Sequence, residues 1–212
     1  MPLEIIYEDK YLLAVIKSPG MLSQADGNDD IMSALPYKTH IINRLDRPVG
    51  GIVLLAKDAD TASKLTNQIK NIEKYYYAIV CSLCPKYGEF SDYLMTNKRL
   101  NTTKIVNSGN VGAKFAKLTF TKLDEKDELS LIKVRLYTGR HHQIRAQLSA
   151  HGMPIWGDTK YNPTFKHKRG VLPALYACRL VFTHPITREK LCLKSKPNYG
   201  KFSDFTEDKY EL

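Results

Sequence analysis

Two stretches of strict apolar/polar alternation constrain this chain most. Ala116, Leu118 and Phe120 interleave with Lys117, Thr119 and Thr121, and Ile132, Val134 and Leu136 interleave with Lys133 and Arg135. A period of two places the apolar side chains on one face of a strand. With the charged run Asp124 to Glu128 between them, the two stretches predict an antiparallel hairpin. Similar composition predicts strands at Ile5–Tyr7 and Tyr11–Ile16, with a turn at Glu8-Asp9-Lys10, and at Tyr75–Val80. A second hairpin is expected from Tyr176 to Thr183 and Lys190 to Lys194, turned by Pro185-Ile186-Thr187. Helices are expected behind a cap at Asp58 or Asp60, where Ala62, Leu65 and Ile69 share a face, and from His142, where Ile144 and Leu148 do so until Gly152 and Pro154 stop the run. Strands outnumber helices and are mostly joined as hairpins, so the expected class is α+β with a largely antiparallel sheet.

The length of 212 residues and the lack of any internal repeat point to one domain over residues 1–212. Thr96 to Gly112 is polar and basic without an apolar period, and is expected to be a loop or mobile insertion. With 32 Lys and Arg against 22 Asp and Glu, the net charge of +10 suits a polyanionic partner. The sequence lacks an apolar run of the roughly 20 residues a membrane span needs and a secretory pattern at its start, so a cytoplasmic protein without membrane attachment is expected. Cys81 and Cys84 form a Cys-x-x-Cys, but Cys178 and Cys192 lie far downstream in strand-like runs. Reduced, structural cysteines are the expectation rather than a zinc site. His141, His142 and His151 are joined by no acids or cysteines at ligand spacing, so neither metal nor cofactor is expected.

The segment Asn43-Arg44-Leu45-Asp46-Arg47-Pro48-Val49-Gly50-Gly51 runs directly into the apolar strand Ile52–Ala56, so a charged loop is anchored by a buried strand. A carboxylate held there is suited to work at a glycosidic bond, although by itself Asp46 is better explained by pairing with Arg44 or Arg47, as most such acids are. This segment resembles the His-Arg-Leu-Asp-x-x-x-Ser-Gly signature of the RluA-type RNA pseudouridine synthases. Thr138-Gly139-Arg140-His141-His142-Gln143-Ile144-Arg145, followed by Gly152-x-Pro154 and Gly157-Asp158-x-x-Tyr161, is similar to a second motif of that family, and Lys74-x-Tyr76-x-Ala78 to a third. With the opening strands and the His184-Pro185 turn, the resemblance spans nearly the whole chain.

The resemblance implies a single-domain pseudouridine synthase fold, α+β, with a mixed and largely antiparallel sheet, flanking helices and a central catalytic cleft. It implies an isomerase that converts specific uridines of rRNA or tRNA to pseudouridine on a flipped-out nucleotide. Asp46 would be the catalytic aspartate, Tyr76 the aromatic stacked on the target base, and Arg145 the cation paired with the aspartate, while Arg44 would lie beside the flipped nucleotide. Two positions depart from the motif, Asn43 in place of histidine and Gly50 in place of serine. The catalytic pattern begins within the first few residues, so no accessory RNA-binding domain is expected. RNA would be captured by Arg140 and by the basic segments holding Lys98, Arg99 and Lys104 and holding Lys166, Lys168 and Arg169. A monomer is the default. Two other readings fit a basic protein with an aromatic site: a non-catalytic RNA binder, and a glycosylase or methyltransferase acting on a flipped base.

Overall fold

The computed structural model describes residues 3–23 and 30–210. In chain order these form β1 (Glu4–Glu8), β2 (Leu12–Lys17), β3 (His40–Ile41), β4 (Gly50–Ala56), α1 (Ala59–Asn67), β5 (Glu73–Val80), β6 (Tyr87–Asn97) and β7 (Thr102–Val106). There follow β8 (Lys114–Lys126), β9 (Leu129–Leu136), α2 (Gln143–Ala150), β10 (Leu175–Thr183) and β11 (Lys190–Lys194). The chain folds as two compact units, one built from residues 1–74 and 176–197 and the other from residues 75–175 and 198–211.

In the first unit β1, β2, β4 and β10 lie in that order, with β3 also on β4 and β11 on β10. The β4–β10 pairing is parallel, whereas β1–β2, β2–β4, β3–β4 and β10–β11 are antiparallel, so the sheet is mixed as expected. Every residue of β4 is buried, which is why its sequence is a continuous apolar run and not an alternation. Leu12 and Ala14, Ile52 and Leu54, Leu180 and Phe182 point to one core, which Leu65 of α1 and Ile72 close. Of the two candidate caps, Asp58 begins α1: its carboxylate accepts from the Thr61 N–H at 2.8 Å and from the Thr61 hydroxyl at 2.7 Å.

In the second unit β8 and β9 form the anticipated hairpin, with Leu118 opposite Leu136 and Phe120 opposite Val134. Its turn is Asp127-Glu128, with φ of 50° and 61°. Both positive values fit a tight hairpin turn whose twist matches the strands, and the flanking charged residues belong to the strands. The stretch expected to be a loop between Thr96 and Gly112 is largely the end of one hairpin: β6 runs to Asn97 and β7 pairs back on it from Thr102. Of the five residues of β7 only Thr103 is buried, and it is polar, so the apolar period that would announce a strand is missing. Cys84 and Cys178 are buried as expected, Cys81 is half-buried and Cys192 is exposed, lying on the outer face of β11. Among the described residues no helix is long and apolar enough to cross a membrane.

Gly51 shows how closely the first unit is assembled. Its φ is 122°, and a Cβ built there would lie 2.3 Å from the Ala177 carbonyl oxygen on β10. Both the backbone region and the contact exclude a side chain. Gly51→Ala is therefore expected to destabilise the protein by more than about 1 kcal/mol, read as a lowered urea midpoint at unchanged m-value; a midpoint equal to wild type would contradict the assigned β4–β10 register.

Candidate active site

The loop that carries Asp46 joins β3 to β4 and is tied down from several directions within the first unit. Asn43 is buried, and its side-chain amide donates to the Ile52 carbonyl at 3.1 Å and accepts from the Leu54 N–H at 2.8 Å. It therefore extends the β3–β4 ladder with a side chain in place of a peptide group. Next to it, the Ser23 hydroxyl donates to the Leu45 carbonyl at 2.9 Å and accepts from the Leu45 N–H at 3.0 Å. On the far side of Asp46, the Arg47 carbonyl accepts from the Gly20 N–H at 2.8 Å and from Lys17 Nζ at 3.0 Å. The Val49 N–H donates to the Asp46 carbonyl at 3.0 Å and closes the turn. Asp46 is half-buried, while Arg44 and Arg47 are exposed.

Lys17 is the residue that sequence reasoning missed here. It ends β2 with no exposed surface, and its Nζ also donates to the carbonyls of Ser18 at 3.1 Å and Met21 at 2.8 Å. Three carbonyls satisfy the three donors of an ammonium. Burial pushes its pKa down to about 7, with the negative charge of Asp46 pulling the other way. The sign that it belongs to the loop was a lysine closing an otherwise apolar strand.

In the second unit α2 buries six successive residues, Gln143 to Leu148, three of them polar. Buried polar groups need partners, and these have them. Gln143 accepts from the Thr138 hydroxyl at 2.8 Å and the Arg140 N–H at 3.0 Å, then donates to Gln147 at 2.9 Å. Gln147 donates to Asp92 at 2.7 Å. Arg145 makes a two-pronged bridge to Asp158, Nε to Oδ2 at 2.7 Å and Nη2 to Oδ1 at 2.8 Å, and both side chains are almost wholly buried. Burial alone would raise the Asp158 carboxyl, but the Arg145 guanidinium and the N–H groups of Lys160 and Tyr161 hold it below the usual carboxylate range. Tyr161 lies beneath the guanidinium, ring centre to Cζ 5.1 Å, and its hydroxyl meets the Thr103 N–H at 2.7 Å and His142 Nδ1 at 2.8 Å. Asp158 and Tyr161 stood in the matched sequence without an assigned role; the structure shows that they fix Arg145.

Tyr76 is buried on β5, 8% exposed, whereas its neighbour Tyr77 packs edge-on against Tyr210 at 5.0 Å. Lys98 and Arg99 occupy the β6–β7 turn and Lys104 lies on β7, all exposed. Arg140 is exposed just before α2, with its Nε donating to the Phe115 carbonyl at 2.9 Å. Lys166, Lys168 and Arg169 are exposed after the short helix Pro163–Phe165, and Lys168 Nζ lies 4.7 Å from the Phe165 ring centre. Among the described residues no three His, Cys, Asp or Glu side chains are grouped as metal ligands.

This fold is that of the pseudouridine synthases. The structure superposes on human RNA Pseudouridylate Synthase Domain Containing 1 with a TM-score of 0.79 at 22% identity, covering 92% of this chain and 83% of that one. Human RNA Pseudouridylate Synthase Domain Containing 4 gives 0.77 at 22%, covering 91% and 88%. In sequence, residues 11–150 match the family described as RNA pseudouridylate synthase. The chain is 30% identical to tRNA pseudouridine synthase C of Pasteurella multocida over 91% of its length and 90% of that protein. It is also 30% identical to Ribosomal large subunit pseudouridine synthase D of Zymomonas mobilis over 90% of its length and 68% of that protein. The chain belongs to the RNA pseudouridylate synthase family, in its RluA-type branch, and is an isomerase that converts uridine in RNA to pseudouridine.

The Arg145–Asp158 bridge gives a test of the second unit. Asp158 is depressed below its ordinary 3.8, so its contribution to stability is complete well above that value and is lost as the pH falls through the lower folded-state pKa. Asp158→Asn removes the carboxylate charge from this buried bridge and is expected to cost about 3–5 kcal/mol at neutral pH. Urea denaturation at a series of pH values should show the gap to wild type narrowing below pH 3.8; a gap independent of pH would mean that the carboxylate charge is not what stabilises the pair.

Proposed function

We propose that Asp46 is the catalytic carboxylate, that Arg145 is the cation serving it, and that Tyr76 is the aromatic that stacks on the target base, in a single catalytic domain acting on tRNA or rRNA as a cytoplasmic monomer. Conversion of uridine requires the N1–C1′ bond to break, the base to turn, C5 to join C1′, and the C5 proton to leave. An acid held at a fixed place beside the sugar supports these steps. The observation that carries the reading is the fixing of the peptide on both sides of Asp46, by Ser23 on Leu45 and by Lys17 and Gly20 on Arg47. Rigid support from neighbouring hydrogen bonds is what a reacting group needs. The substrate classes rest on the two bacterial relatives, one named for transfer RNA and one for the ribosomal large subunit. The basic residues Arg44 and Arg140, with the segments at Lys98–Lys104 and Lys166–Arg169, supply the phosphate contacts in this reading.

Asp46→Asn keeps the side-chain volume and removes the charge, so RNA binding is expected to persist while pseudouridine formation falls below detection. Near-native product formation by this variant in a tritium-release assay would sink the assignment.

Tyr76 has two separable tasks. Tyr76→Phe keeps the ring and should bind RNA as wild type does, while Tyr76→Leu should weaken binding by about 1–3 kcal/mol, the usual loss for one base–aromatic stack. A hydroxyl that helps remove the C5 proton would show itself as slow turnover by the Phe variant with an enlarged deuterium isotope effect at C5. Single-turnover rates on uridine and 5-deuterouridine RNA separate the cases, and equal affinity of the Leu variant and wild type would rule out stacking.

A further inference from the structure

Within the second unit, the sheet face opposite the buried side chains of Leu118, Phe120 and Val134 remains open. Cross-strand register places Tyr93 beside Phe115, Ser91 beside Lys117, and Glu89 beside Thr119, which in turn pairs with Arg135. Tyr87 stands at the start of β6, opposite Thr121, and Tyr137 follows β9, its N–H bonded to the Lys117 carbonyl at 3.1 Å. Side chains of one parity along these strands share a face, so Tyr87, Tyr93, Phe115 and Tyr137 are displayed together with Lys117 and Arg135.

These rings are not core residues in thin cover. Their exposures are 68% for Tyr87, 37% for Tyr93, and 43% each for Phe115 and Tyr137. Tyr93 and Phe115 meet edge-on at 5.7 Å, so each keeps a ring face available for stacking. The cations sit among the rings: Arg135 lies 4.9 Å and Lys117 5.4 Å from the Tyr137 ring centre. Glu89 is bridged to Lys117 at 2.8 Å, which shortens the reach of its negative charge.

We infer that this open face is a second RNA platform, binding a single-stranded segment by stacking its bases on the rings and pairing its phosphates with the cations. The chemistry selects the occupant. Exposed aromatic rings accept any base face without reading its edge, and interleaved Lys and Arg track a phosphate backbone. A protein partner held by apolar contact would be better served by a face depleted of Lys. The overall charge of +10 supplies the long-range attraction. The platform is distinct from the residues proposed for the chemistry, since Tyr76 has the opposite parity on β5 to Tyr75, whose ring Arg135 approaches at 5.8 Å. Its occupant is a single-stranded segment, so the platform would favour RNAs that offer an unpaired stretch.

The test uses the full-length protein and a fluorescent single-stranded oligoadenylate, which contains no uridine and so reads binding apart from isomerisation. Replacing Tyr87 and Tyr93 together by Ser should weaken binding by at least about fivefold per ring lost, while Tyr87→Phe with Tyr93→Phe should bind as wild type does. Lys117→Gln should flatten the dependence of log affinity on log salt by about one. Melting temperatures of all variants distinguish a lost platform from a lost fold, and the Phe pair serves as a control that keeps the rings. Wild-type affinity in the Ser pair would overturn the proposal, as would cross-linking of the oligonucleotide to the Lys166–Arg169 segment alone. An unchanged RNA affinity accompanied by altered self-association in sedimentation would make the face a protein interface and would overturn it equally. Because the readout requires no turnover, failure of Asp46 as the catalytic carboxylate would leave this result untouched.

Discussion

The buried ammonium of Lys17 is the interaction on which the Asp46 loop depends. A lysine with no exposed surface loses most of its hydration, a cost recovered only if every donor is used. Here the three acceptors are carbonyls from Ser18, Met21 and Arg47, so the side chain stitches the end of β2 to its own continuation and to the loop before β4. The first two contacts are local in sequence; the third spans thirty residues and fixes where the chain must be immediately after Asp46. Because β2 and β4 are neighbours in register from Leu12 opposite Ala56 to Lys17 opposite Gly51, the sheet itself sets the height at which the ammonium sits. Loop placement is thereby inherited from strand pairing.

The second unit solves a similar problem with an arginine. Arg145 lies on a helix, and a flexible side chain there would point in many directions if nothing held it. Asp158 grips it in a planar, two-pronged geometry that a lysine cannot reproduce. Asp158 is fixed in turn by the N–H groups of Lys160 and Tyr161. Tyr161 then closes the circuit under the guanidinium while binding Thr103 of β7 and His142 at the start of α2. Gly157, at φ 77° and with the Leu172 carbonyl 2.2 Å from where a Cβ would stand, lets the chain turn sharply enough to bring Asp158 inward. Thus a conformationally special glycine, an acid and a tyrosine in one short motif all serve the orientation of one cation.

How much of this was legible follows from where the information resides. Period-two alternation specified β8 and β9 and their pairing as a hairpin, because those strands bury one face and leave the other wet. The same rule was silent for β6 and β7: Tyr87 and Tyr93 lie on the open side of β6, and polar residues occupy much of the rest, so the apolar and exposed classes no longer separate. Asp46, Tyr76 and Arg145 could be put forward as site residues because the motifs that hold them resemble a known family's. Lys17, Ser23 and Asp158 were not assigned because their importance lies in partners distant in sequence, Arg47, Leu45 and Arg145, and pairings of this kind leave no local periodicity. Cys178 and Cys192 both lie in strand-like runs, yet only Cys178 is buried, because such a run identifies a strand more readily than it identifies which side faces the core.

The two departures from the family motif become intelligible once the loop's hydrogen bonds are traced. A side-chain amide offers both a donating N–H and an accepting oxygen, the two functions that a peptide group presents to a strand edge. Asn43 uses both on β4, taking the Leu54 N–H and giving to the Ile52 carbonyl, in the gap between the stretch of β4 paired with β3 and the stretch paired with β10. Without it, two backbone groups in the middle of a fully buried strand would lack partners, a cost of about 1–3 kcal/mol for each. At Gly50 the demand is different. The residue is buried and begins the parallel pairing to Tyr176, immediately before Gly51, whose backbone tolerates no side chain. Both departures therefore lie where the loop is seated against β4, Asn43 through its two hydrogen bonds and Gly50 through the first backbone pairing with β10.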